Sequence, residues 1–222
     1  MLWQRFFLLI KMRWNKTNKF IKWLFPNYTW NSSNHQNKIY LTFDDGPTPD
    51  ITNWVLNELK KYNAKATFFC IGDNVKKYPE IYDEVIVQGH SIGNHTFNHL
   101  DGFTTNTNLY LQNIELCETE FQKQSNFISD NKLFRPPFGK ITPFQSNKLR
   151  KLGYTIIMWD VISYDFDTGF SRENCLQKVV ENTTSGSIVV FHDSVKAFTN
   201  LQCVLPKALK LLSEKGFVFE KL

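Results

Sequence analysis

Residues 38–47 read Lys38-Ile39-Tyr40-Leu41-Thr42-Phe43-Asp44-Asp45-Gly46-Pro47, and this stretch decides the fold. Ile39–Phe43 is a short apolar run that reads as a buried strand, and it breaks off into two carboxylates and a Gly-Pro turn. The same layout recurs downstream. Further strands are expected at Ala66–Ile71, His90–Gly93, Leu133–Arg135, Thr155–Trp159, Ser187–Phe191 and Phe217–Glu220. Helical periodicity fills the intervals Ile51–Tyr62, Pro79–Gln88, Asn106–Lys123, Thr142–Leu152, Arg172–Asn182 and Thr199–Lys215. Alternation of this kind implies an α/β fold, a parallel sheet with helices outside. Pattern alone suits a barrel and an open doubly wound sheet equally. In either, active sites collect at the carboxyl ends of the strands, where every polar cluster of interest falls.

The chain has 222 residues, a length that suits one domain, and 42% of them are hydrophobic, enough for a sizeable core. The net charge of +5 is unevenly spread: residues 1–43 hold seven Lys or Arg and no acid, leaving 19 of the 26 basic side chains against all 21 acidic ones. The main domain therefore has no basic face, and a nucleic-acid partner is not expected. Cys70, Cys117, Cys175 and Cys203 are widely spaced and read as free, mostly buried thiols.

Residues 1–37 form a distinct basic segment ahead of a domain at 38–222. Trp3, Phe6, Phe7, Ile10, Trp14, Ile21 and Leu24 fall on one helical stripe, and Pro26 ends the helix. Peripheral contact of residues 1–25 with an anionic membrane surface is one reading; packing of the stripe on the domain is the other, and the spacing favours it. No export signal or spanning run is visible, so a cytoplasmic or membrane-surface location is expected over secretion.

Five clusters carry chemistry. At the end of the first strand, Asp44 and Asp45 can serve as proton acceptor and metal ligand if the chain twists to bring both to one cavity; the plain alternative is turn chemistry. His95 and His99, four apart, share a face if they lie on a helical turn, and with Asp45 they would make a two-histidine, one-carboxylate metal site. Zn²⁺ suits it best, with Co²⁺ or Ni²⁺ as alternatives. Arg135-Pro136-Pro137-Phe138-Gly139 is a stiffened segment that can hold a backbone N–H near a developing oxyanion, or else an ordinary loop. Residues 158–166, MWDVISYDF, offer Trp159 as a surface for a sugar ring, with Asp160 and Asp165 beside it, though taken alone the stretch fits a core tryptophan better. Finally, the apolar strand Ile188–Phe191 ends in His192-Asp193, where a histidine can act as a general acid or simply be a satisfied structural residue.

Taken in order, TFDDGP, HTFNH, RPPFG, WDVISYDF and IVVFHD resemble the five motifs of the polysaccharide deacetylases, the NodB-homology family or carbohydrate esterase family 4, over residues 38–222. The resemblance implies a distorted (β/α)₇ barrel, a divalent metal and hydrolysis of N-acetyl groups on a carbohydrate such as peptidoglycan or a chitin-like chain. By the same resemblance Asp44 is the catalytic base, tuned by Arg135, and Asp45, His95 and His99 bind the metal. His192 is the general acid. Pro137, the backbone N–H near Phe138, Trp159, Asp165 and Val190 face the substrate, Val190 lining the pocket for the acetyl methyl. The fourth motif departs from the family's D-x-x-D-W: Ile162 replaces the first aspartate, which in the family supports the acid histidine, and Phe166 replaces the tryptophan. Either Asp165 or Asp160 would then support His192. Two rival functions remain at this point: an amide or imide hydrolase acting on a small molecule, and a sugar-binding barrel without catalysis.

Overall fold

The computed structural model describes residues 16–32, 36–124 and 131–222. A short helix α1 (Lys19–Leu24) precedes the first strand. The alternating body then runs β1 (Lys38–Asp44), α2 (Ile51–Lys60), β2 (Ala66–Cys70), α3 (Gly72–Lys77), α4 (Pro79–Val87), β3 (Ser91–Asn94), α5 (Thr107–Lys123) and β4 (Lys132–Phe134). It continues through a 3₁₀ turn at Pro137–Gly139, α6 (Pro143–Lys151), β5 (Tyr154–Ile156), β6 (Val161–Ile162), α7 (Arg172–Asn182), β7 (Ile188–His192), α8 (Val195–Glu214) and β8 (Val218–Phe219).

All paired strands are parallel, in the order β5-β4-β3-β2-β1-β7-β6, with β8 against the start of β1. The sheet curls into the distorted barrel that the resemblance implies. Its two ends meet where residues 157–160 step from β5 to β6: Ile157 N–H bonds to Phe134 on one side and Asp160 N–H to Ile188 on the other. The strand Val161–Ile162 and the helix Gly72–Lys77 were not expected from the sequence. Two and six residues are too few to show a period.

Both faces of the sheet are covered, so the strands are apolar throughout, and alternation still sorts their residues. Along β1, Ile39, Leu41 and Phe43 join the core under the helices, whereas Tyr40 lies inside the barrel with Phe69, Ile157 and Ile188. Thr42 and Asp44 follow Tyr40 to the inner face. In β7, Val189 and Phe191 face the helices, which sends Val190 and His192 inward with Ile188. Cα pairing sets Asp44 opposite His192.

The N-terminal segment differs from the expectation of one continuous amphipathic helix. Asn18, extended at φ −63°, ψ 138°, caps α1 through its side chain, so the helix starts afresh at Lys19. Trp3, Phe6, Phe7, Ile10 and Trp14 lie outside the described residues. Of the stripe that remains, Ile21 is buried, while Leu24 is exposed together with Phe20 and Trp23. Residues 16–32 are strapped onto the barrel seam. Thr17 donates its N–H to Asp160 O and its hydroxyl to Trp159 O, and Thr29 bridges Ile157. Among the described residues no helix is long and apolar enough to cross a membrane. Cys70, Cys117 and Cys175 are buried and Cys203 half-buried, all as free thiols.

Candidate active site

Strand β1 delivers Asp44 by alternation, and the next residue then leaves the strand. Asp45 takes a left-handed conformation, φ 83°, which turns its side chain into the same cleft instead of the opposite face. Three contacts hold that turn. Asn74 donates its side-chain amide to Asp45 O (2.8 Å), Ile71 N–H bonds Gly46 O, and Gly46 N–H bonds Asp193 Oδ1 (3.1 Å). The other Asp193 oxygen accepts from Thr52 Oγ1 at 2.6 Å. A Cβ on Gly46 would stand 2.0 Å from Asp193 Oδ2, so any side chain here would have to displace the Asp193 carboxyl. Burial pushes the Asp193 carboxyl up to about 8.

The two histidines do not share a helical turn as the spacing suggested. His95–His99 is a loop beyond β3, with Thr96 at φ 63° and His99 at φ 55°. Asn94 Oδ1 accepts Thr96 N–H, and Asn113 Oδ1 from α5 accepts the N–H groups of Phe97 and Asn98, so side chains take the bonds a helix would have made internally. The loop nevertheless brings the rings together, with centroids 5.1 Å apart. His95 Nδ1 lies 2.8 Å from the Arg135 carbonyl oxygen. That oxygen only accepts, so Nδ1 carries the proton and Nε2 keeps its lone pair for the cleft. Asp45 Oδ1 stands 3.3 Å from His99 Nε2 and 3.8 Å from His95 Nε2.

Burial lowers the pKa of both imidazoles, that of His95 to about 4, so both are neutral at pH 7. The Asp45 carboxyl is pushed up by burial, but His192, His95, His99 and a Ser194 hydrogen bond outweigh this and hold it below its usual range. The cluster thus presents two lone pairs and one negative charge.

Arg135 is wholly buried at the end of β4. Its Nη1 donates to Asp44 Oδ1 and Thr42 Oγ1, both at 2.7 Å, its Nη2 donates to Met158 O at 3.0 Å, and its guanidinium lies 4.1 Å above the Phe69 ring. A buried guanidinium needs such full pairing, and Asp44 is fixed by it. The prolines that follow lead into a turn with Phe138 at φ 58°. Its ring is exposed and stands edge-on to His99 at 4.6 Å.

Asp165 and Asp160 part company. Asp165 Oδ1 lies 2.8 Å from His192 Nδ1, and Oδ2 accepts His192 N–H at 2.8 Å, so one carboxylate clamps both ring and backbone. Burial opposes a charge on His192, but Asp165, with Asp45 and Asp44 beyond, raises it to about 9. Asp165 therefore sits behind His192, 1% exposed and away from the cleft wall, and does not face substrate as expected. Asp160 points the other way, to Lys16, Lys22 and Ser187 Oγ. Asn113 and Asn74 were missed in the sequence, as was the part Asp193 plays in holding the Asp45 turn. Nothing distinguishes them there from ordinary surface or turn residues.

These groups open on one cleft of about 1180 Å³, lined by Asp44, Asp45, His95, His99, Phe138, Trp159, Ile162, Phe166, Val190 and His192 among others. A protein-family model described as polysaccharide deacetylase matches residues 31–157. The chain is 35% identical to a peptidoglycan-N-acetylglucosamine deacetylase of Bacillus cereus over 86% of its length and 89% of the relative's. It is 34% identical to a chitooligosaccharide deacetylase of Azorhizobium caulinodans over 72% of this chain and 75% of that one. Among solved structures, a peptidoglycan N-acetylglucosamine deacetylase in complex with a naphthalenyl-N-oxidanyl-benzamide superposes with a TM-score of 0.83 at 30% identity, over 90% of this chain and 94% of the other. In sequence, in fold and in how it joins these motifs at one cleft, the chain belongs to the polysaccharide deacetylase family, enzymes that hydrolyse the N-acetyl groups of sugars.

Proposed function

We propose that the protein removes acetyl groups from N-acetylated sugars of peptidoglycan or a chitin-like chain, with a divalent metal held by Asp45, His95 and His99. The arrangement of the donors supports the metal. Two ligands each about 2.1 Å from a tetrahedral ion stand about 3.4 Å apart, close to the 3.3 and 3.8 Å between Asp45 Oδ1 and the two Nε2 atoms. All three donors are deprotonated at neutral pH, as ligands must be. The Arg135 carbonyl orients His95 from behind in the manner of an outer-shell partner. Zn²⁺ suits two imidazoles and a carboxylate best, with Co²⁺ or Ni²⁺ next.

When bound, such an ion supplies Lewis acidity toward the acetyl carbonyl and the attacking water. The chain supplies the rest. Asp44, held through Oδ1 by Arg135, takes the proton from the water. The backbone N–H near Phe138 faces the developing oxyanion. His192, its Nδ1 committed to Asp165, carries its proton on Nε2 and delivers it to the leaving amine, releasing acetate and a free amino sugar. Val190 and its Cα partner Ile162 form an apolar wall for the acetyl methyl, and Phe138 and Trp159 offer surface to the sugar ring, whereas Pro137, expected there from the sequence, is buried beneath the turn and Pro136 lines the cleft in its place.

One observation carries this reading: a base fixed by a buried arginine and an acid fixed by a buried aspartate stand on adjacent strands beside a deprotonated Asp-His-His cluster. The test is acetate release from N-acetylglucosamine oligomers after metal reconstitution. Asp44→Asn should keep its metal and lose activity by about 10²- to 10⁴-fold. Near-normal release by that variant sinks the assignment of the base. Hydrolysis of cyclic imides with no acetate from sugars would favour the small-molecule hydrolase, and glycan binding without turnover would favour the non-catalytic barrel.

A further inference from the structure

The cleft does not end at the catalytic groups. It continues past Gly139, Met158 and Trp159 to the N-terminal strap, where Thr17, Ile21, Phe25, Tyr28 and Trp30 line the same space. Three of these rings are ordered against one another. Phe25 and Tyr28 are stacked at 5.6 Å with 3° between their planes, Tyr28 and Trp30 stand 6.3 Å apart, and Trp30 Nε1 donates to Phe25 O. All three are half-buried and border the cleft. The strap is held by Lys16 and Lys22 on the buried Asp160. The strap residues that line the cleft are uncharged, and beside them Lys16 and Lys22 pair with Asp160, which also borders it.

We propose that the strap carries a distal sugar subsite, built on Phe25, Tyr28 and Trp30, for an uncharged stretch of the same glycan chain whose acetyl group is cut at Asp44 and His192. This rests on the glycan reading above. Aromatic faces at a wet cleft suit the C–H face of a pyranose ring, with the ring hydroxyls left to water. Continuity with the catalytic cleft selects the occupant, since whatever extends from the reacting sugar meets this wall next. A cleft of about 1180 Å³ also exceeds what a single small ligand fills. Trp30 and its neighbours would then set a preference for chain length and leave the chemical step alone.

The test separates binding from turnover. Binding of N-acetylglucosamine disaccharide and pentasaccharide is measured by calorimetry on the full chain carrying Asp44→Asn, and acetate release from both is measured on the active protein. The pentasaccharide should bind at least about tenfold tighter than the disaccharide, the worth of one good aromatic contact. Trp30→Ala should erase that advantage and raise KM for the pentasaccharide alone. Trp30→Phe should keep most of it, which guards against a variant that merely misfolds. Equal affinity for both lengths, or equal loss for both in Trp30→Ala, overturns the subsite. Absence of acetate release from every oligomer would overturn the deacetylase reading instead, while the calorimetry still decides the subsite.

Discussion

Asp45 and Asp160 are both aspartates at strand boundaries, each facing two basic side chains, yet they are opposite kinds of site. Asp160 is 3% exposed and receives Lys22 at 2.5 Å and Lys16 at 3.0 Å, with Ser187 Oγ adding a third donor. The chain brings its own positive charge, and the carboxylate is spent on structure. Asp45 faces His99 and His95 at 3.3 and 3.8 Å, neutral rings with lone pairs turned inward. There neither of the two partners brings a positive charge at neutral pH. Asp165 is the intermediate case, a carboxylate that keeps a proton on the imidazole it faces. The basicity of the partner decides the outcome: lysine closes a carboxylate site, a neutral imidazole opens it, and a histidine held protonated makes an acid.

The sharpest way to break this comparison is at Asp45. Asp45→Ala should abolish stoichiometric Zn²⁺ binding and cut acetate release by about 10³-fold or more. Metal content and turnover of the purified variant check it, and a variant that keeps both would make Asp45 a turn residue only. Asp165→Asn comes next, with a loss of about 100-fold at neutral pH. Its pH profile is the more telling measurement. The acid works protonated, so activity falls as pH rises through the His192 pKa, which Asp165 and the nearby carboxylates raise to about 9. Without the Asp165 charge that pKa drops, and the alkaline limb should move to lower pH. A limb that stays put would detach Asp165 from the acid. The smallest effects belong to Asp160. Asp160→Ala leaves two ammonium groups without their carboxylate and should cost about 1–3 kcal/mol in chemical denaturation. Lys16 is 36% exposed, and Lys16→Ala should cost less than about 1 kcal/mol. In both, disaccharide deacetylation should persist. A Lys16 loss as large as that of Asp160 would mean the strap hangs on that one contact.

Much of this was legible in the sequence because strands announce themselves by apolar runs and the chemistry sits at their ends. Asp44 and His192 could be placed on the inner face by alternation alone once Ile39, Leu41 and Phe43, and Val189 and Phe191, were assigned to the helix side. Two kinds of information were not local. The His95–His99 loop is shaped by Asn113, a residue of α5 whose role exists only after packing. The choice between Asp160 and Asp165 is made by direction: both lie beside β6, but one points outward to the strap and the other inward to His192. Spacing cannot encode that difference, because Val161–Ile162 is too short a strand to display its register.

The pairing of β1 with β7 has a consequence for how the enzyme is made. Thr42 and Val189 are bonded neighbours separated by 147 residues, so the β1–β7 pair joins stretches of chain far apart in sequence. On a ribosome, β1, β2 and β3 emerge early, and with them Asp45, His95 and His99; the strand bearing His192 follows long afterwards. A contact of such range forms late and slowly. The residues of the Asp-His-His cluster are therefore all synthesised before His192. The cleft is complete only once β7 has been made and has paired with β1.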